Sequence, residues 1–314
     1  MKLWPFLMFL VITFGTANAG SQSPKSAEEY NNRGLEKQNQ GDLDGAIADY
    51  TKAISLKSRP DILATIYNNR ANAFMSKNNL DGAIADYTSA IQLQPAEFEN
   101  YYNRGVALQS KNNFDLAIAD FSKTIELFPR FALAYNNRGN ARSAKGDIDG
   151  AINDYTTAIS INPKGADSYY NRGIALQAKG NIDGAIKDFS SALSLTPSFY
   201  LANINRAVAL FDKGDLDGAI ADYTRALELK TDDAAIYYGR GTAKQKKKDL
   251  EGALSDYTKA IEIDPKHALA YANRAVVKSL QRMPGADADF ETAFRLDPSL
   301  KATYREFSEK RRKP

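Results

Sequence analysis

Tyr-Asn-Asn-Arg-Gly at residues 30–34 returns seven more times, unchanged at Tyr135 and in altered form beginning at Tyr67, Tyr101, Tyr169, Asn203, Tyr237 and Tyr271. The first interval is 37 residues and the other six are 34 each. A fixed period of this length marks a solenoid: one repeat cannot bury its own apolar faces and is stabilised by stacking on the next. With the leading aromatic as position 4, the repeats span 27–60, 64–97, 98–131, 132–165, 166–199, 200–233, 234–267 and 268–300.

Other positions follow the same beat. Position 8 is always Gly or Ala, from Gly34 to Ala275. Position 20 is always Ala, allowing for one deleted residue before Ala286, and position 24 is Tyr or Phe, from Tyr50 to Phe290. Position 27 is Ala except at Thr124, and Pro95, Pro129, Pro163, Pro197, Pro265 and Pro298 close six repeats. Each repeat therefore reads as two helices. The first covers positions 1–14 and is broken by Gly or Asn near position 15, as at Gly41 and Asn112. The second opens on Asp-x-Asp-Gly-Ala-Ile and stops before a proline that cannot continue it. Small residues at positions 8, 20 and 27 let backbones approach, and the aromatic at 24 fills the space around them. Ser26 and Glu29 have capping-box spacing, and Leu300, Tyr304 and Phe307 give a helix over 300–310 a stripe with which to cover the last repeat.

The combination Tyr-x-x-x-Gly at 4 and 8, Ala at 20, Tyr/Phe at 24, Ala at 27 and Pro at 32 resembles the tetratricopeptide repeat over residues 27–300. Departures are local: extra residues around Arg59-Pro60-Asp61, Asn203 at the aromatic position, and a shortened eighth repeat at Met283-Pro284. The resemblance implies an all-α, right-handed superhelical solenoid of eight helix-turn-helix repeats, with a C-terminal capping helix and basic tail over 301–314. It also implies a concave side lined by the first helices, where such proteins hold peptides or partner proteins.

Helical geometry separates the polar residues of the opening string. At about 100° per residue, positions 8 and 11 lie close to position 4, position 7 falls on the flank of that face, and position 6 points away. Arginine holds position 7 in all eight repeats and aspartate position 23 in all eight. A guanidinium at the edge of a packing face needs an acceptor. Arg33 with Asp49, Arg104 with Asp120, Arg172 with Asp188 and their equivalents are thus expected to lock the two helices of each repeat. Asparagine holds position 6 at Asn32, Asn69, Asn103, Asn137, Asn171, Asn205 and Asn273, with Gly239 as the break. An amide offers a donor and an acceptor, the pair needed to bridge a peptide group. Some superhelical members of the resembled family use such an asparagine ladder. The alternative is that these amides solvate the surface or bond within the first helix, and both readings stand at this level. Tyr102, Tyr170 and Tyr238 at position 5 are expected to flank the row as apolar platforms with polar tips. The lysines of the family's carboxylate-clamp members are absent: positions 2 and 5 carry residues such as Glu28, Glu99, Asp167, Asn31 and Asn136.

Chemistry finds little foothold. Cysteine is absent, the one histidine is His267 in a turn, and no glycine-rich phosphate loop or serine elbow occurs. No catalytic residue, metal site or cofactor is expected. The Asp-x-Asp-Gly turns lack the remaining ligands of a calcium loop and read as helix caps. Net charge is +3 and the basic runs, Lys246-Lys247-Lys248 and 310–313, are short, so a nucleic-acid partner is not expected.

The N-terminus reads as targeting: Lys2, an apolar run over 3–14, and Ala17-Asn18-Ala19 before Gly20 fit a signal peptide over 1–19, followed by a short linker over 20–26. The expectation is an exported protein, periplasmic or secreted, without a stable membrane anchor once the signal is cleaved. It would act as a non-enzymatic protein–protein interaction scaffold for an extended peptide or partner protein. The competing expectation is an envelope-assembly component that uses its convex face or its ends.

Overall fold

The computed structural model describes residues 25–305 and 307. The signal-peptide reading over 1–19, the linker up to residue 24 and the basic tail at 310–313 lie outside the described residues. All regular structure among the described residues is helical, in two compact units. The first contains α1 (Ala27–Asn39), α2 (Leu43–Ser55), α3 (Pro60–Ser76) and α4 (Leu80–Leu93). The second, from Pro95 onward, holds α5 (Phe98–Ser110), α6 (Phe114–Leu127), α7 (Ala132–Ala144), α8 (Ile148–Ile161), α9 (Ala166–Ala178) and α10 (Ile182–Leu195). It continues with α11 (Tyr200–Lys213), α12 (Leu216–Leu229), α13 (Ala234–Lys246), α14 (Leu250–Ile263), α15 (Ala268–Leu280), α16 (Ala286–Leu296) and α17 (Leu300–Thr303).

Each helix starts and stops where local chemistry says it should. Ser26 and Glu29 form the capping box of α1. The second helices are capped by Asp42, Asn79, Asp147, Asn181, Asp215 and Asp249, whose side chains accept from the N–H of a glycine three residues on, at 2.9–3.0 Å. Glycine lets the capping carboxylate sit close, because a Cβ on Gly45 would stand 2.0 Å from Asp42 Oδ2. Repeat 3 supplies the control: Leu116 replaces the glycine, and Asn113 makes no side-chain cap bond. Between the helices the chain passes through the left-handed region at position 15, with φ of 84° at Gly41 and 60° at Asn112.

Within each unit, first and second helices pack in pairs and each second helix packs on the next first helix. Positions 20, 24 and 27 are buried between them, from Ala46, Tyr50 and Ala53 to Ala286, Phe290 and Ala293. Positions 3 and 10 meet the preceding repeat and are buried at Ile66 and Ala73; their counterparts in repeat 1, Glu29 and Glu36, are exposed and give the array a polar end. The extra residues at Arg59-Pro60-Asp61 do not form a loop. They lengthen α3 at its N-terminus, where Pro60 needs no hydrogen-bond donor. At the other end Leu300 is buried and Tyr304 packs 6.4 Å from Phe290, while Phe307 is exposed. Of the helix expected over 300–310, α17 covers Leu300–Thr303, Tyr304 makes a turn, and residues 305 and 307 are helical again.

Candidate functional site

Arginine at position 7 is held from three sides. Its Nε and Nη2 grip the position-23 carboxylate of the same repeat, at 2.8 and 2.8 Å for Arg104–Asp120 and 2.7 and 2.8 Å for Arg172–Asp188. Arg33 makes the same two contacts with Asp49. Nη1 then donates to a position-25 hydroxyl of the preceding repeat: Arg70 to Thr51, Arg138 to Ser122, Arg172 to Thr156, Arg206 to Ser190, Arg240 to Thr224 and Arg274 to Thr258, at 2.9–3.3 Å. A position-4 ring covers the guanidinium in seven repeats, at 5.1–5.9 Å. In four repeats Lys37, Arg142, Lys244 or Lys278 at position 11 adds a second cation to the same aspartate. The Arg33 guanidinium holds the Asp49 carboxyl below the usual carboxylate range, overriding burial, which pushes the other way. These arginines are spent on the fold and form no anion-binding array. The hydroxyl partners were visible in the sequence as Ser or Thr at position 25 of seven repeats, a signal that helical-wheel reasoning within one repeat does not weigh.

The position-6 amides do something neither sequence reading named: they bond sideways, to position 5 of the preceding repeat. Asn69 donates to Asn31 Oδ1 at 2.9 Å and Asn171 to Asn136 Oδ1 at 3.1 Å. Asn137, Asn205 and Asn273 donate to the hydroxyls of Tyr102, Tyr170 and Tyr238 at 3.0, 2.9 and 3.2 Å. One N–H of each amide thus forms a rung between adjacent first helices. Asn32 has no preceding repeat and is exposed; Asn103 opens the second unit and is half-buried. Asn273 Oδ1 is taken by the Tyr304 hydroxyl at 2.6 Å, so the C-terminal segment closes the row. At Asn137, Asn171 and Asn205, Oδ1 and the second N–H stay available on the outer side of the first helices, which follow one another in contact from α5 to α15.

Tyr102, Tyr170 and Tyr238 are not the open platforms expected of them. They are half-buried, with rings 4.9 Å from Phe131, 4.7 Å from Phe199 and 4.8 Å from His267. Burial pushes the Tyr102 phenol up to about 12, against the pull of its bond from Asn137. A ring between stacked repeats is filler first, and only its hydroxyl reaches the rung.

Position 9 obeys a pairing rule with position 24. Where the core ring is Tyr87 or Tyr155, its hydroxyl donates to Asn72 or Asn140 at 2.6 and 2.8 Å. Where it is Phe121, Phe189 or Phe290, position 9 is Val106, Ile174 or Val276. Three tyrosines stand outside this pairing: Tyr50 and Tyr257 donate to Gln38 and Gln245 at 2.9 and 2.5 Å, and Tyr223 faces Val208 with its ring against the next repeat, where a Cβ on Gly239 would meet Tyr223 Cζ at 2.8 Å. The gap in the asparagine row is therefore the footprint of a neighbouring tyrosine.

The exposed side chains of the first helices include Ile174, Leu201, Leu269 and Leu280, and also the carboxylates Asp167 and Asp212. Among the described residues no group of three or more His, Asp or Glu is placed to hold a metal ion, and no helix is long and apolar enough to cross a membrane. The surface offers hydrogen bonds and apolar contact.

Family models described as TPR repeat match residues 71–112, 139–180 and 207–248, and models described as tetratricopeptide repeat match 27–60, 99–131, 166–199 and 234–267. No curated protein matches the chain at a significant level. Solved structures do. The crystal structure of YrrB, described as a TPR protein with an unusual peptide-binding site, shares 26% identity over 60% of this chain and 97% of its own, with a TM-score of 0.54. A tetratricopeptide repeat protein from Parabacteroides merdae aligns over 82% of this chain and 97% of its own, at 21% identity and a TM-score of 0.60. The C-terminal part of a TPR repeat-containing protein from Cytophaga hutchinsonii aligns over 76% and 97%, at 20% identity and a TM-score of 0.61. These two bear on the fold alone. Helix pairs on a 34-residue period, closed by the same small and aromatic residues and matched by family models over most of their length, place the chain in the tetratricopeptide repeat family, whose members are generally protein-interaction scaffolds.

Proposed function

We propose that this chain is an exported, non-enzymatic scaffold that holds an extended peptide, or an extended segment of a partner protein, along its layer of first helices. The observation that carries the reading is the row Asn137, Asn171 and Asn205, each keeping an acceptor and a donor on the outer side once its rung is made. An extended peptide presents N–H and C=O groups in alternation, and each match is worth about 1 kcal/mol net. Several in register, with apolar contact at Ile174 and Leu201, offset the ordering of the peptide. The peptide-binding description of YrrB supports the same class of ligand. Export rests on the signal-like residues 1–19.

The test is selection of binders from a random extended-peptide library, followed by titration of the selected peptide. Ile174→Glu with Leu201→Glu, which leaves the rungs intact, is expected to weaken binding at least about tenfold, and Asn171→Ala to weaken it about fivefold. Unchanged affinity in both, with unchanged thermal melting, would sink the groove. N-terminal mass analysis of the exported protein is expected to begin at Gly20; an intact Met1 would refute cleavage.

A further inference from the structure

Repeat 6 differs from the other seven on the side of α11 that faces away from the asparagine row. Position 4, a tyrosine elsewhere, is Asn203. In its place stands a half-enclosed cavity of about 310 Å³. Leu193, Pro197 and Ala221 give it apolar walls, and Asn203, Arg206, Asp222 and Arg225 line the rest, the Asp222 carboxylate being held by Arg206. Asn203 is 0% exposed, and its Oδ1 has no hydrogen-bond partner. Its Nδ2 has only a long contact, 3.5 Å, with the Phe199 carbonyl. A buried amide oxygen left unmatched is costly. Arg206 shares the anomaly. Its edge is held by Asp222 and Ser190 as in the other repeats, but among the described residues no ring covers its guanidinium face. One repeat earlier, Tyr169 occupies the equivalent place, and the depression beside it does not reach Arg172 or Asp188.

A missing ring, a bare guanidinium face and an unmatched acceptor at the floor specify one complement: an aromatic ring that ends in a hydrogen-bond donor. We propose that this cavity is a socket for the phenol of a tyrosine presented by a partner chain, entering hydroxyl first. The ring takes the place that seven repeats fill from within, lies over Arg206, and its hydroxyl donates to the Asn203 carboxamide after a turn about χ2. Arg225, exposed at the rim, closes on the other side of the ring. This socket does not depend on the peptide groove of the previous section, because positions 4 and 6 lie on opposite sides of the first helix.

The experiment uses the full chain, ¹⁵N-labelled, titrated with p-cresol and with N-acetyl-tyrosinamide while the Asn203 side-chain amide and the Leu193 and Ala221 backbone signals are followed. Both probes are expected to saturate on the same signals. Toluene, which lacks the donor, and 4-methylcyclohexanol, which lacks the π face, are expected to bind about tenfold more weakly or worse. Asn203→Tyr restores the residue of the other repeats and is expected to abolish the shifts while raising the melting temperature. Asn203→Ala, which removes the acceptor without filling the space, is expected to equalise cresol and toluene. Equal binding of 4-methylcyclohexanol and cresol overturns ring recognition, and cresol binding that survives Asn203→Tyr overturns the location. Cresol binding without binding of the capped tyrosine overturns the partner-chain occupant. Asn137→Ala, Asn171→Ala and Asn205→Ala together leave cresol binding unchanged, so failure of the groove and failure of the socket read out separately.

Discussion

Tyr155 and Asn140 show how a single side chain is chosen by its neighbour rather than by its helix. The Tyr155 hydroxyl is buried with its ring and finds its one acceptor at Asn140 Oδ1, 2.8 Å away. One step along the same unit, Phe121 faces Val106, and neither needs anything from the other but contact. The two solutions are complete only as pairs. Asn140→Val is therefore expected to cost about 1–2 kcal/mol by stranding the hydroxyl. Asn140→Val with Tyr155→Phe, which rebuilds the Val106–Phe121 arrangement, is expected to recover most of that loss. Urea midpoints of the two single variants and the double variant measure the coupling; an additive double variant would show that the hydrogen bond is not what joins them.

At the scale of the element, the caps decide where second helices begin. Asp147 accepts from the Gly150 N–H, an orphan donor of the first turn of α8, whereas Asn113 at the head of α6, with Leu116 in the place of the glycine, makes no such bond. Identical substitutions should therefore have unequal effects. Asp147→Ala is expected to cost about 1 kcal/mol, and Asn113→Ala a few tenths at most. Thermal melts of the two variants side by side test this, and equal losses would mean that these residues act by some route other than capping. The same logic applies to α3: an extra turn begun on Pro60 is tolerated because the first turn of a helix has spare N–H groups to lose.

Across the whole molecule, the buried phenols tie stability to alkaline pH. Burial pushes Tyr102 and Tyr223 up to about 12, the latter helped by the nearby Asp212 charge. An unfolded tyrosine ionises near 10, so the folded chain holds these protons more tightly than the unfolded one. Their contribution is fully present below about pH 10 and is lost as pH rises through about 12, on the order of 2 kcal/mol for each phenol. Stability measured by urea unfolding between pH 9 and pH 12 is expected to fall over that window. Tyr102→Phe combined with Tyr223→Phe is expected to make the fall shallower, the remainder belonging to Tyr50, Tyr87, Tyr155 and Tyr257, whose phenols burial also pushes up, and an unchanged slope would assign it to other groups.

Helix pairs, caps, the Arg–Asp clasp and the eightfold repetition are legible in the amino-acid string because they are local. Ser26 is three residues from Glu29, Asp42 three from Gly45, and Arg172 sixteen from Asp188, an offset kept in seven repeats and shortened to fifteen at Arg274–Asp289, so periodicity displays the same physics again and again. The partners of the asparagines were not legible. A helical wheel gives the direction of Asn137 about its own axis, but not what stands there, and the Tyr102 hydroxyl arrives from a different repeat whose approach is set by how whole helix pairs stack. Gly239 reads in the sequence as a defect in the row, and only packing shows that the Tyr223 ring occupies its place. Asn203 likewise reads as one lost aromatic among eight; stacking turns that loss into a cavity with an unmatched oxygen, because the neighbouring repeats hold their spacing whether or not the ring is there.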